Sequence, residues 1–229
     1  MDFKAYRLEE APPTVYYVPD FITSEEEDKI ISNVYAAPKP KWTQLSNRRL
    51  QNWGGIPHVK GMITEKIPEW LTMYTEKIGQ LGVFGNVKPN HILVNEYLPG
   101  QGIMPHLDGP LFYPTVTTIS CGSHTMLDFK RPILTDENET DTSDHGPDTK
   151  ILSLLLERRS LLILQDDMYH KYMHSIAEVE DDIVTDKVAN LKTCGIQYIQ
   201  GQTLKRSTRI SLTIRHVPRT SRFQIRLGK

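Results

Sequence analysis

The chain has 229 residues, 38% of them hydrophobic, a net charge of −1 and two cysteines, Cys121 and Cys194. That length suits one domain, and the apolar fraction supports a core, which excludes a wholly disordered chain. A near-zero charge excludes a whole-protein field for nucleic acid or membrane, and two thiols exclude a disulfide framework. No apolar N-terminal segment is seen, so a soluble protein of the cytoplasm or nucleus, with reduced thiols, is expected.

The first element is a helix in TSEEEDKIISNVYAA, with Ser24 as the expected N-cap and three glutamates in the first turn, where they suit the helix dipole. A second helix, IPEWLTMYTEKIGQL, puts Trp70, Leu71, Tyr74 and Ile78 on one face. After residue 90 the pattern changes to short β-branched or Leu-rich runs bounded by turns: HILVNEYL, TVTTIS, HTMLDF, ILSLLLE, SLLILQ and RISLTIRHV. Helices followed by strands predict an α+β, mainly β, fold: a sandwich or jelly roll with helices packed outside. The acidic stretches RPILTDENETDTSDHGPDT and EVEDDIVTDKVANLKT read as surface loops.

Charge is unevenly placed. Eight Lys or Arg and no acid lie between Lys205 and Lys229, and six basic residues without an acid lie between Lys29 and Thr64, among Trp42 and Trp53. Such basic, aromatic stretches suit either a solvated surface or a stacking surface for single-stranded nucleic acid.

His106 and Asp108 stand two apart after a Pro-Gly turn in NEYLPGQGIMPHLDGP. In an extended segment such a pair points one way, and an imidazole with a carboxylate can share one metal ion. Two histidines and a carboxylate on one face of Fe(II) leave positions open for a cosubstrate and dioxygen. The segment MYHKYMHSIAE offers His170 and His174 as the third ligand. In RSTRISLTIRHV, Arg209, Ser211, Thr213 and Arg215 alternate with Ile210, Leu212 and Ile214, so four polar groups share a face. Two buried arginines require anionic partners, and a dicarboxylate would be one. Asn95 and Tyr97 are likewise i, i+2 neighbours. His58, His91, His124, His145 and His216 read as surface or capping residues.

In that order, the L-x-N-x-Y strand LVNEY, the HxD pair, a later histidine and RISLTIR resemble the AlkB-type Fe(II)/2-oxoglutarate dioxygenases. WTQLSNRRLQNWGG resembles that family's substrate lid, and the match runs from about Trp42 to Pro218. The resemblance implies a double-stranded β-helix (jelly-roll) core over residues 91–218, a helical and lid region over 1–90, and a basic tail at 219–229, in a single domain. It implies that His106, Asp108 and His174 hold Fe(2+), His174 being chosen because MHSI resembles the family's YHGI. Arg209 would bind the distal carboxylate of 2-oxoglutarate, with Asn95 and Tyr97 hydrogen-bonding it and Ser211 and Arg215 along the same wall. Ser211 stands where the pattern commonly has asparagine. His174 and Arg209 are 35 positions apart (209 − 174), wider than usual, so the acidic stretch 178–192 reads as an insertion.

The implied activity uses O2 and 2-oxoglutarate, releases succinate and CO2, and demethylates methylated bases in single-stranded DNA or RNA. Trp42, Arg48 and Trp53 would contact that substrate, the tryptophans by stacking. A monomer without a membrane partner is expected. The alternatives are an oxygenase acting on protein side chains and a nucleic-acid-binding module with weak turnover.

Overall fold

A computed structural model describes residues 1–130 and 150–221. In chain order the elements are β1 (Val15–Val18), α1 (Ser24–Ala36), β2 (Trp42–Gln44), β3 (Arg49–Trp53), β4 (Met62–Ile63), α2 (Glu69–Gly79), β5 (His91–Tyr97), β6 (Ile103–His106), β7 (Thr115–Cys121), β8 (Thr125–Lys130), β9 (Lys150–Leu156), β10 (Leu161–Gln165), α3 (Asp166–Lys171), β11 (Met173–Ile176), β12 (Asp181–Ile183), β13 (Thr203–Lys205), β14 (Arg209–Arg215) and β15 (Thr220–Ser221). A major sheet runs β1-β10-β7-β14-β5-β3-β2 and a minor sheet β6-β11-β8-β9. All neighbours in these two sheets pair antiparallel.

The two sheets face each other as a jelly roll, with α1 and α2 on the outer face of the major sheet. Ile30 and Val34 of α1 and Leu71, Tyr74 and Ile78 of α2 pack there on Ile92, Val94, Ile119, Ile210, Leu212 and Ile214. Between the sheets lie Val15, Tyr17, Val116, Leu127, Phe129, Leu154, Leu156, Leu162, Leu164 and Ile176. β10 reads LLILQ without alternation because it is apolar on both faces: Leu161 and Ile163 face the helices, Leu162 and Leu164 the inside.

Three expectations are corrected. The N-cap of α1 is Thr23, not Ser24: its Oγ1 accepts from the Glu26 N–H while the Glu26 carboxylate accepts from the Thr23 N–H. The extended backbone of Thr23 allows that reciprocal pair, whereas Ser24 is already helical. Residues 1–90 are not helix and lid alone. They supply both edges of the major sheet, β1 beside β10 and the β2–β3 hairpin beside β5.

The acidic stretch 178–192 is not a free loop. Its β12 pairs with β13, and Asp182, buried, accepts two hydrogen bonds from the buried Arg206, both 2.7 Å. Ser153 of β9 exchanges backbone bonds with Lys187 and Ala189, and Asn190 brackets Leu155, so the stretch covers the free edge of the minor sheet. The acidic stretch 131–149, expected as a surface loop and holding His145, and residues 222–229 of the expected basic tail lie outside the described residues.

Candidate active site

Register decides which side chains meet. β14 pairs with β5 so that Arg209 faces Tyr97, Ser211 faces Asn95 and Arg215 faces His91. These six share the inner face, and across β7 Ser120 and Thr118 join them opposite Ser211 and Thr213. The polar half of RISLTIR therefore looks into the space between the sheets, a cavity of about 530 Å³ lined by residues that include His106, Asp108, His174, Arg209 and Arg215.

Deep in that cavity Arg209 is 4% exposed. Its Nη2 donates to Ser120 Oγ at 2.8 Å and its guanidinium lies 5.8 Å from the Tyr97 ring centre. Its Nε is buried with no hydrogen-bond partner, and among the described residues no carboxylate pairs with it. Burial pushes its pKa down to about 10, so the cation is short of solvation. An anion entering the cavity would complete it.

At the other side, His106 ends β6 and sits opposite His174 of β11. Their ring centres are 4.3 Å apart. His106 Nδ1 lies 2.9 Å from the Met104 carbonyl oxygen; a proton there leaves the Nε2 lone pair free for an ion. Burial, against the pull of Asp108, pushes His174 down to about 4, so this imidazole is neutral and able to ligate. Asp108, just past β6, accepts from Arg215 Nη1 at 2.6 Å. Burial pushes its carboxyl up, but Arg215, then His174 and His106, outweigh this and hold it below the usual carboxylate range. With Asp108 turned onto Arg215, no three His, Cys, Asp or Glu side chains among the described residues stand as a closed ligand group. The donor chemistry nevertheless fits ferrous iron: two imidazoles with available lone pairs and one ionised carboxylate on one wall. The Arg209 guanidinium, with its Nε unpartnered, fits the far end of a dicarboxylate.

His170 is exposed on α3 and does not line the cavity, whereas His174 does. Asn95 and Tyr97 line it as expected, Ser211 beside them, and Asn95 Oδ1 accepts from Arg48 Nε at 3.2 Å. Arg48 is at the cavity; Trp42 and Trp53 are not. Trp53 pairs across from Ile92 and Trp42 from Gln51, residues of the helix-covered face. There Trp53 meets Trp70 edge-to-face at 6.0 Å, and the Arg49 guanidinium lies 4.1 Å over Trp42. The expectation of indoles stacking on a substrate over the site is corrected by strand parity: Gln51, the partner of Trp42, lies two residues from Trp53 on β3, so both rings fall on the outer face.

Arg215 lines the cavity as expected, but its grip on Asp108 was not anticipated; it also lies 3.9 Å over the ring of Phe112. Other participants were not anticipated either. Tyr169 Oη donates to the Gly109 carbonyl at 2.5 Å and steadies the turn after Asp108. Ser120 anchors Arg209, and the alternation of Thr and Ser in TVTTISC was the available signal for it. His91, expected at the surface, is fully buried beside Arg215 and 3.2 Å from Asn52 Oδ1.

A family model described as the 2OG-Fe(II) oxygenase superfamily matches residues 31–215. The chain is 57% identical over 229 residues to the probable RNA/DNA demethylase ALKBH6 of Danio rerio, covering 100% of this chain and 96% of that one. It is 27% identical over 218 residues to a tRNA (carboxymethyluridine(34)-5-O)-methyltransferase, alkbh8 of Xenopus tropicalis, covering 90% of this chain but 32% of that larger protein. Among solved structures, OsALKBH1 superposes with a TM-score of 0.61 at 13% identity, over 91% of this chain and 99% of that one, a likeness of fold. Sequence match, jelly-roll fold and donor chemistry converge, and the chain belongs to the 2OG-Fe(II) oxygenase superfamily as an AlkB-type dioxygenase that uses Fe(2+) and 2-oxoglutarate.

Proposed function

We propose that this protein removes methyl groups from bases in single-stranded nucleic acid, with His106, Asp108 and His174 holding iron and Arg209 holding the distal carboxylate of 2-oxoglutarate. The observation that carries this reading is the buried Arg209 guanidinium, its Nε without a partner and no carboxylate of the described residues beside it, sharing one cavity with an imidazole pair and a carboxylate. The full-length similarity to a probable RNA/DNA demethylase supports the substrate class.

Each residue then has a task. Iron with 2-oxoglutarate and O2 supplies the oxidation of an unactivated C–H bond, with succinate and CO2 as products. Arg209 would hold the distal carboxylate of the cosubstrate, and Asn95 and Tyr97, on the neighbouring strand, would hydrogen-bond it. Ser211 contributes a hydroxyl beside Asn95. Arg215 stabilises the ionised form of Asp108, so the carboxylate stays available without binding a proton. Leu127, Leu156, Leu162 and Leu164 keep water from the inner wall. Hydroxylation of an N-methyl carbon leaves a hemiaminal, which releases formaldehyde and the N–H base. No protein nucleophile is needed.

The test is anaerobic titration with Fe(II) and 2-oxoglutarate, followed in air by assay of succinate and formaldehyde with methylated single-stranded DNA, methylated RNA and methylated peptides. Formaldehyde released with an oligonucleotide supports the reading. Release with peptides alone makes the protein a side-chain demethylase, and tight oligonucleotide binding without succinate makes it a binding module.

A further inference from the structure

We infer that Arg48 captures a backbone phosphate of the substrate strand at the mouth of the cavity. This rests on the demethylase reading. Arg48 lies just before β3, one residue from Arg49, which points to the outer face and is held by Glu96. Arg48 instead lines the cavity. Its Nε donates to Asn95, and among the described residues its Nη1 and Nη2 have no hydrogen bond and no ion pair. The carboxylate at that lip, Glu178, is bonded to the amide of Asn47 and not to Arg48.

A guanidinium cannot escape its charge by losing a proton, and two free N–H faces partly withdrawn from water are expensive without an anion. The cosubstrate would not provide one, because its distal carboxylate goes to Arg209 and its other end would face the residues that would hold iron. The remaining anion is on the substrate. A base entering the space between the sheets leaves its sugar and phosphate at the mouth, and the free edge of Arg48 matches two phosphate oxygens. The rest of the mouth suits a nucleotide's apolar surface and, among the described residues, carries no indole: Met104 is 76% and Leu107 is 38% exposed there. Asn95 links the two ends of the cavity, since it takes the Arg48 Nε bond from the inner-face row that includes Arg209 and Tyr97.

The experiment compares wild type, Arg48→Lys and Arg48→Gln for binding and turnover of one methylated single-stranded oligonucleotide at several salt concentrations, with anaerobic 2-oxoglutarate affinity measured alongside. Arg48→Gln is expected to raise oligonucleotide Kd and KM roughly tenfold at low salt, as loss of a charged hydrogen-bonded contact does. It should also flatten the salt slope by about one released counterion. Arg48→Lys should keep the slope and lose part of the affinity. An unchanged Kd and slope in Arg48→Gln, with wild type active, overturns the inference. So does a loss of 2-oxoglutarate affinity with the slope intact, which would give Arg48 to the cosubstrate. If wild type neither binds nor turns over any methylated oligonucleotide, the demethylase reading itself has failed, and the Arg48 inference with it.

Discussion

Arg48 and Arg49 are neighbours in the chain and opposites in the sheet. Arg49, on the outer face, is held by Glu96, lies over Trp42 and Tyr35, and shares Glu96 with the Tyr35 hydroxyl. Arg48, on the inner face, makes one side-chain hydrogen bond among the described residues, and the inner arginines Arg209 and Arg215 each bury an Nε without a partner. The same strands thus present a completed surface to the helices and an incomplete one to the cavity. On the outer face Gln51 reaches the Val34 carbonyl at 2.9 Å and Trp53 donates to Gln51 at 2.9 Å. Polar groups that find all their partners within the chain hold it together; polar groups left short are positioned for something that arrives later.

The sharpest way to break this comparison is at the imidazole–carboxylate cluster. His106→Ala, Asp108→Ala and His174→Ala are each expected to abolish iron-dependent succinate formation while the protein still melts cooperatively, because each leaves at most two protein ligands. His170→Ala, on the exposed face of α3, should retain full activity. Succinate assays and calorimetry on the four variants check this. Wild-type activity in His174→Ala would remove β11 from the site.

Next in size is Arg209→Lys. A point charge replaces a planar fork in a buried position, so 2-oxoglutarate binding should weaken by about 1.5–3 kcal/mol, the range for hydrogen bonds to charged groups. Iron affinity measured without cosubstrate should hold. Equal losses of both would mean that Arg209 supports the wall and not the ligand.

The outer face gives the contrasting result. Trp53→Ala removes a half-buried ring packed on Trp70, and about 2 kcal/mol of stability should go with it, less than the ~3–5 kcal/mol of a fully buried aromatic. Affinity for 2-oxoglutarate and for a methylated oligonucleotide should stay the same. Denaturant unfolding with parallel titrations separates the two effects, and an oligonucleotide Kd that rose without loss of stability would return Trp53 to the substrate.

What the chain discloses of all this depends on range. The strands at 91–97, 115–121 and 209–215 are legible because β-branched residues alternate with polar ones, and that alternation also assigns Arg209, Ser211 and Arg215 to one face. β3, RLQNW, and β6, IMPH, are not: one is rich in polar side chains and the other holds a proline, and both form only because a neighbour supplies the ladder. The HxD pair is visible at two residues' spacing. The grip of Arg215 on Asp108 joins residues 107 apart and has no local trace. The buried Asp182–Arg206 pair was hidden in the same way within an acidic run that composition alone assigns to solvent. The tryptophans were misassigned for a subtler reason. Aromatic and basic residues interleaved in sequence alternate between faces once β3 forms, so closeness in the chain becomes separation across the sheet.

The smallest effect concerns His91, which stands on the inner face yet belongs to the folded framework. It is fully buried, its Nε2 meets Asn52 Oδ1, Phe112 lies 5.9 Å away, and the charged group facing it is Arg215 on the neighbouring strand. Burial, and then the Arg215 charge, push its pKa down to about 3. The unfolded chain titrates this imidazole near 6.5. Because the folded value is the lower one, the neutral ring's contribution is whole above pH 6.5 and is lost as pH falls toward 3, at up to about 1.4 kcal/mol per pH unit. Between pH 7 and 5.5 the wild type should therefore lose about 1 kcal/mol more stability than His91→Phe, which keeps an aromatic volume and has no proton to take up. Urea unfolding of both proteins across that interval makes the comparison. Parallel curves would mean that His91 is protonated in the folded protein and shares a solvated pocket with Arg215, which would move the boundary between the completed and the incomplete surfaces one residue deeper along β5.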